Sequence, residues 1–133
     1  MRFAQLSILL LGPPFIVSNS LAQSKGENDY LATCAPCHGK TGQGNGQVKT
    51  VLPGLNPADL TTLSERNGGQ FPSDEVYRAI DGRDQILGHE KRRMPMWGLN
   101  FQKEDEEFTP LSEAEVKRRI SDLVDYIRTL QRK

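Results

Sequence analysis

The chain has 133 residues, enough for one small domain and not two. Its 17 basic and 17 acidic side chains cancel, which argues against nucleic acid or an anionic membrane surface as the main partner. Hydrophobic residues make up 36% of it, few for a domain that must bury a core, and twelve glycines with eight prolines point to extensive loops.

Residues 1–22 have the form of a secretory signal peptide. Arg2 gives a positive start, residues 3–17 are mostly apolar, and Ser20-Leu21-Ala22 supplies the small-x-small pattern ahead of a cleavage site. The apolar stretch is short for a membrane-spanning helix, and Pro13-Pro14 interrupts it. The mature chain, residues 23–133, is therefore expected to form one domain without stable membrane insertion. An uncleaved anchor is the alternative.

Residues 26–34 (GENDYLATC) are compatible with a short helix in which Gly26, Tyr30 and Cys34 share a face. The chain then reads Cys34-Ala35-Pro36-Cys37-His38. Two thiols three positions apart, with a histidine directly after the second, form the attachment signature of c-type haem. Each thiol can add to one of the porphyrin's two vinyl groups, and His38 is then placed to ligate the iron. Plainer readings are weaker. A thioredoxin-like pair would follow a strand, and nothing strand-rich precedes Tyr30. A structural zinc site needs paired spacings that Cys34, Cys37, His38 and His89 do not provide. A disulfide across so short a step is geometrically awkward. A haem would also fill the core that the composition leaves short. Attachment of c-type haem beyond the bacterial inner membrane agrees with an exported, periplasmic protein.

Gly42, Gly44 and Gly46 alternate after this signature. A phosphate loop would need a preceding strand and a Gly-Lys-Ser/Thr, and neither is present. The glycines are expected to let the backbone turn closely around a flat cofactor. Residues 52–57 (LPGLNP) continue as loop. Ser73 is expected to cap a helix with Asp74 and Glu75 in its first turn, an apolar face of Val76, Tyr77 and Ile80, and Gly82 as its stop. A further loop is expected through Lys91-Arg92-Arg93 and Met94-Pro95-Met96-Trp97-Gly98. The acidic run Glu104-Asp105-Glu106-Glu107 follows. Both charge runs read as solvated surface, with a steering patch for an acidic partner as the alternative for the basic one. The last helix has the plainest pattern. Ser112 and Glu115 form a capping box, and Val116, Ile120, Leu123, Ile127 and Leu130 recur at steps of four and three.

On these residues the stretch from about 25 to 131 resembles a class I cytochrome c of the bacterial monohaem kind. Gly26, Tyr30 and Cys34 match that family's N-terminal helix, where a small residue admits the C-terminal helix. Residues 122–127 (DLVDYI) are similar to its aromatic-containing C-terminal segment. Cys37-His38-Gly39 with spaced glycines, and Pro57-Ala58-Asp59-Leu60-Thr61, recur in bacterial members. The resemblance implies an all-α fold with crossing terminal helices and loops wrapping one covalently bound haem c. It implies Met94, before Pro95, as the second axial ligand, with Met96 and His89 as alternatives. It also implies a proline carbonyl, Pro57 or else Pro53, as acceptor for the His38 N–H. The implied role is a one-electron carrier between a redox-protein donor and acceptor, a monomer with no catalytic residues. The alternatives are a subunit fixed to a periplasmic dehydrogenase or reductase, and a ligand-binding or peroxidatic haem protein.

Overall fold

The structure, a computed structural model, describes residues 25–84, 94–103 and 110–132. The signal-peptide segment, His89, the basic run 91–93 and the acidic run 104–107 lie outside the described residues. Among the described residues the chain is helix and loop with no strand, the all-α architecture expected.

Helix α1 runs over residues 25–38. Its middle is a π-helical turn, Tyr30–Cys34, closed by the Ala35 N–H donating to the Tyr30 carbonyl. In an α-helix a step of four residues overshoots one turn by about 40°. The wider π turn undershoots it, so Cys34 swings back toward the face of Gly26 and Tyr30. All three are buried. The helix ends at Gly39, whose N–H reaches the Ala35 carbonyl at 2.8 Å.

A single turn follows, α2 (Val48–Val51), then a 3₁₀ turn (Leu60–Thr62) leading into α3 (Leu63–Arg66). Helix α4 spans Ser73–Asp81 and stops at Gly82, which is left-handed with its N–H on the Arg78 carbonyl at 2.9 Å. The expected cap at Ser73 is displaced by one residue. Pro72 occupies that position without a side-chain bond, and the Ser73 hydroxyl instead accepts from Arg128 at 2.9 Å.

Helix α5, Trp97–Lys103, lies where the sequence suggested loop. Its Trp97 and Phe101 rings stack one turn apart at 5.6 Å, and the Arg119 guanidinium sits 3.9 Å over Phe101. A carboxylate on the last helix holds it in place. Arg83 bridges Asp81 and Glu113, and Gln102 donates to Glu113 at 2.9 Å, tying α4 and α5 to the last helix.

That last helix, α6, runs Pro110–Thr129 and forms the spine of the core. Ile120 and Leu123 are fully buried, and Val116 and Ile127 nearly so. Burying each such side chain contributes about 1.5–3 kcal/mol. Leu130, the last residue of the expected stripe, lies just past the helix and is half-buried. The helix begins two residues before Ser112, because proline lacks an N–H and suits a first turn. Ser112 is consequently buried inside that turn, and Glu115 pairs with Arg118, so the expected capping box is not the start of the helix.

Helices α1 and α6 cross at Gly26. A methyl group there would overlap the Asp122 carbonyl and press on Tyr126. The Tyr30 and Tyr126 rings meet at 5.2 Å and 51°. Arg119 on α6 also pairs with Asp29 on α1 at 3.0 Å.

Candidate haem site

The end of α1 delivers Cys34, Cys37 and His38 to one wall of a cleft. Two adjoining cavities, about 150 Å³ and 340 Å³, share Cys34, His38 and Met94 among their lining residues. The smaller adds Cys37, Leu55, Pro57, Pro95 and Trp97. The larger runs inward along Leu60, Leu63, Val76, Ile80 and Ile127. Met94 thus lies in the cleft with His38, whereas Met96 is half-buried and is not among those described lining residues. His89 lies outside the described residues.

The His38 Nδ1 atom is 2.9 Å from the carbonyl oxygen of Ala58. A carbonyl can only accept, so Nδ1 carries the hydrogen and Nε2 keeps its lone pair for a metal. The acceptor is one residue beyond the expected Pro57, and it is not Pro53. The reason lies in the glycine loop. A methyl at Gly44 would come within 2.5 Å of the Pro57 oxygen, so that carbonyl faces the loop and not the histidine.

The glycines also close around a different object from the one expected. The Gly44 N–H donates to the His38 carbonyl at 2.7 Å and the Gly46 N–H to the Cys37 carbonyl at 3.1 Å. A methyl at Gly46 would overlap the Pro36 carbonyl. The loop therefore wraps the C-terminal end of α1, satisfying carbonyls that a helix end leaves without partners.

Cys34 and Cys37 are separate thiols, the first buried and the second half-buried. Burial pushes the Cys34 thiol up to about 11, with the hydroxyl of Thr33 3.4 Å from the sulfur. Tyr30, whose hydroxyl donates to the Gly39 carbonyl at 2.7 Å, is likewise shifted upward by burial. Among the described residues no group of three or more His, Cys, Asp and Glu is placed to hold a metal ion. Two thiols beside an imidazole with a free Nε2, an apolar cleft and a thioether in that cleft do fit a covalently bound haem.

Two features of the site went unread in the sequence. One is the Ala58 carbonyl, which any residue type could supply. The other is Asp59, whose carboxylate accepts from the Thr61 N–H and hydroxyl at 2.8 Å and 2.6 Å. Asp often accepts the N–H two residues on, an Asx turn. In the sequence Asp59 stood out only as part of the run from Pro57 to Thr61.

The profile of the family described as "Cytochrome C oxidase, cbb3-type, subunit III" matches residues 22–113. No curated protein and no solved structure matches the chain. None of the described helices is long and apolar enough to cross a membrane. With a family match over most of its length and an all-α fold presenting thiols, imidazole and thioether to one cleft, the chain belongs to this cytochrome c family and is a c-type haem protein of electron transfer.

Proposed function

We propose that the chain carries a single haem c bound through Cys34 and Cys37, with His38 and Met94 as axial ligands, and that it is a periplasmic one-electron carrier of the class I kind. The observation behind this reading is that Cys34, His38 and Met94 line the same cleft, with His38 held in the tautomer a metal ligand needs. When bound, the haem supplies an iron that changes oxidation state by one electron. The chain's own residues set the conditions. His38 donates its N–H to Ala58, which fixes the ring. The Met94 thioether would favour the ferrous state relative to a second imidazole. Leu60, Val76, Ile80 and Ile127 keep water from the inner wall. With His38 and Met94 both holding it, such a haem would offer no position to a substrate, and one electron would come from a donor protein and pass to an acceptor.

A second reading is a cytochrome domain fixed to a larger oxidase, favoured by the description of the matching family. The two separate on isolation from the native membrane and periplasmic fractions. A carrier runs as a monomer at low salt and reacts with several partners, whereas a fixed subunit co-purifies with one complex. A third arrangement, a sixth site that opens, is tested by carbon monoxide. Binding to the ferrous protein without denaturation contradicts ligation by Met94.

A further inference from the structure

The loop that presents the Ala58 carbonyl to His38 is held from behind by contacts that converge on one carboxylate. Asp59 Oδ1 accepts from the N–H of Thr61 at 2.8 Å and from its hydroxyl at 2.6 Å. Its Oδ2 receives Arg132 at 3.0 Å, and its backbone carbonyl receives Arg66 at 2.7 Å. The next peptides are tied to the C-terminal tail. Gln131 donates to the Leu60 carbonyl at 2.7 Å, and the Arg132 N–H to the Thr61 carbonyl at 2.9 Å. Ala58 itself is exposed, with no side chain able to hold it. Yet the Ala58 C=O and the Asp59 N–H belong to one planar peptide unit. Whatever fixes Asp59 therefore aims the Ala58 carbonyl.

We propose that Asp59 is a positioning residue for His38. By capping Thr61 and pairing with Arg132, it holds the Ala58–Asp59 peptide plane so that the carbonyl stays on the His38 Nδ1–H. It thereby sets how strongly the imidazole donates to iron. This rests on the reading of His38 as an axial ligand. A firmly hydrogen-bonded imidazole is the more basic ligand and favours ferric iron, and a loosened one favours ferrous iron. A carboxylate that only stabilised the 3₁₀ turn would alter melting and leave the histidine untouched.

The test uses the haem-loaded protein with three readouts: exchange of the His38 ring N–H by NMR, midpoint potential, and thermal melting. In Asp59→Ala the ring N–H should exchange about tenfold faster, the factor for losing one hydrogen bond of ~1.4 kcal/mol. The midpoint potential should rise, with the near-infrared signature of the sixth ligand retained. Asp59→Asn keeps an acceptor for Thr61 and should return most of both effects. Arg118→Ala, which breaks ion pairs to Glu115 and Asp122 on α6, should change neither. If Asp59→Ala yields too little holoprotein, Thr61→Val removes the hydroxyl donor to Asp59 and should shift both readouts the same way by less. Lower melting with wild-type exchange and potential overturns the proposal. Absence of an iron-shifted His38 ring signal in the wild type overturns the axial-ligand reading itself, before any variant is made.

Discussion

The backbone of Gly26 passes so close to the carbonyl of Asp122 that no β-carbon fits between them. This contact sets how near the N-terminal helix approaches α6. It also places Tyr30 against Tyr126, and through the same helix it fixes where Cys34 emerges. The crossing and the wall that carries Cys34 are two ends of one element.

Gly26→Ala sets two effects against each other. Helix propensity favours alanine by about 1 kcal/mol. Overlap with a packed backbone costs about 1–3 kcal/mol, and here the obstacle is a peptide carbonyl that cannot swing away. The overlap should win, giving a destabilised holoprotein in denaturant unfolding, with Gly26→Val worse. Equal or higher stability in Gly26→Ala would show that the helices separate at little cost.

Leu123→Ala should cost about 2–5 kcal/mol, since Leu123 is fully buried on the spine of the core. Exposed Val51→Ala should be nearly neutral. Chemical denaturation of the two variants side by side checks the ranking.

Acid should weaken the fold through specific carboxylates. The Thr61 hydrogen bonds hold the Asp59 carboxyl below its usual 3.8, and Arg83 holds that of Glu113 below its usual 4.5. A carboxyl depressed in the folded state contributes stability that is complete above its unfolded pKa and is lost as pH falls through the folded one. Asp122, raised by burial, works in the opposite sense. Melting temperature should therefore hold steady from neutral pH down to about 5 and fall below about 4. In Glu113→Gln that acid limb should be shallower. A limb of unchanged steepness would remove Glu113 from the account.

Some of this was legible in the sequence, and the reasons are physical. The α6 stripe repeats over four turns, so burial on one face leaves a mark that local exceptions cannot hide. The Cys-x-x-Cys-His spacing is dictated by covalent chemistry, and Gly26 by a steric need that only one residue meets. What escaped depends on choices that the chain makes in three dimensions. Helix α5 contains Gly98 and Asn100 and follows a proline, so its pattern reads as loop until Trp97 meets Phe101 and Arg119 covers the Phe101 ring. Ser73 was a reasonable cap, but its hydroxyl serves Arg128 from the far helix. The histidine's acceptor is Ala58, while the Pro57 carbonyl lies against the glycine loop at Gly44. Successive carbonyls in a loop differ only by backbone rotation, and no side-chain pattern records that.

Covalent attachment is predicted to need both thiols. Cys37→Ala, expressed with export and haem-attachment machinery, should leave at most one thioether and little stable holoprotein. The pyridine haemochrome spectrum reads the number of intact vinyl groups directly. Normal yield with two thioethers would rule out Cys37 as an attachment point.

The central claim is that one haem is held between His38 and Met94 in the cleft they both line. The most direct measurement is an optical and redox titration of the haem-loaded protein together with Met94→Ala and Met96→Ala. The expected result is one haem per chain, a positive midpoint potential, and a weak near-infrared sulfur-to-iron band in the ferric wild type. Met94→Ala should lose that band and Met96→Ala should keep it. A band that survives in Met94→Ala and disappears in Met96→Ala, or no such band in the wild type, would contradict it.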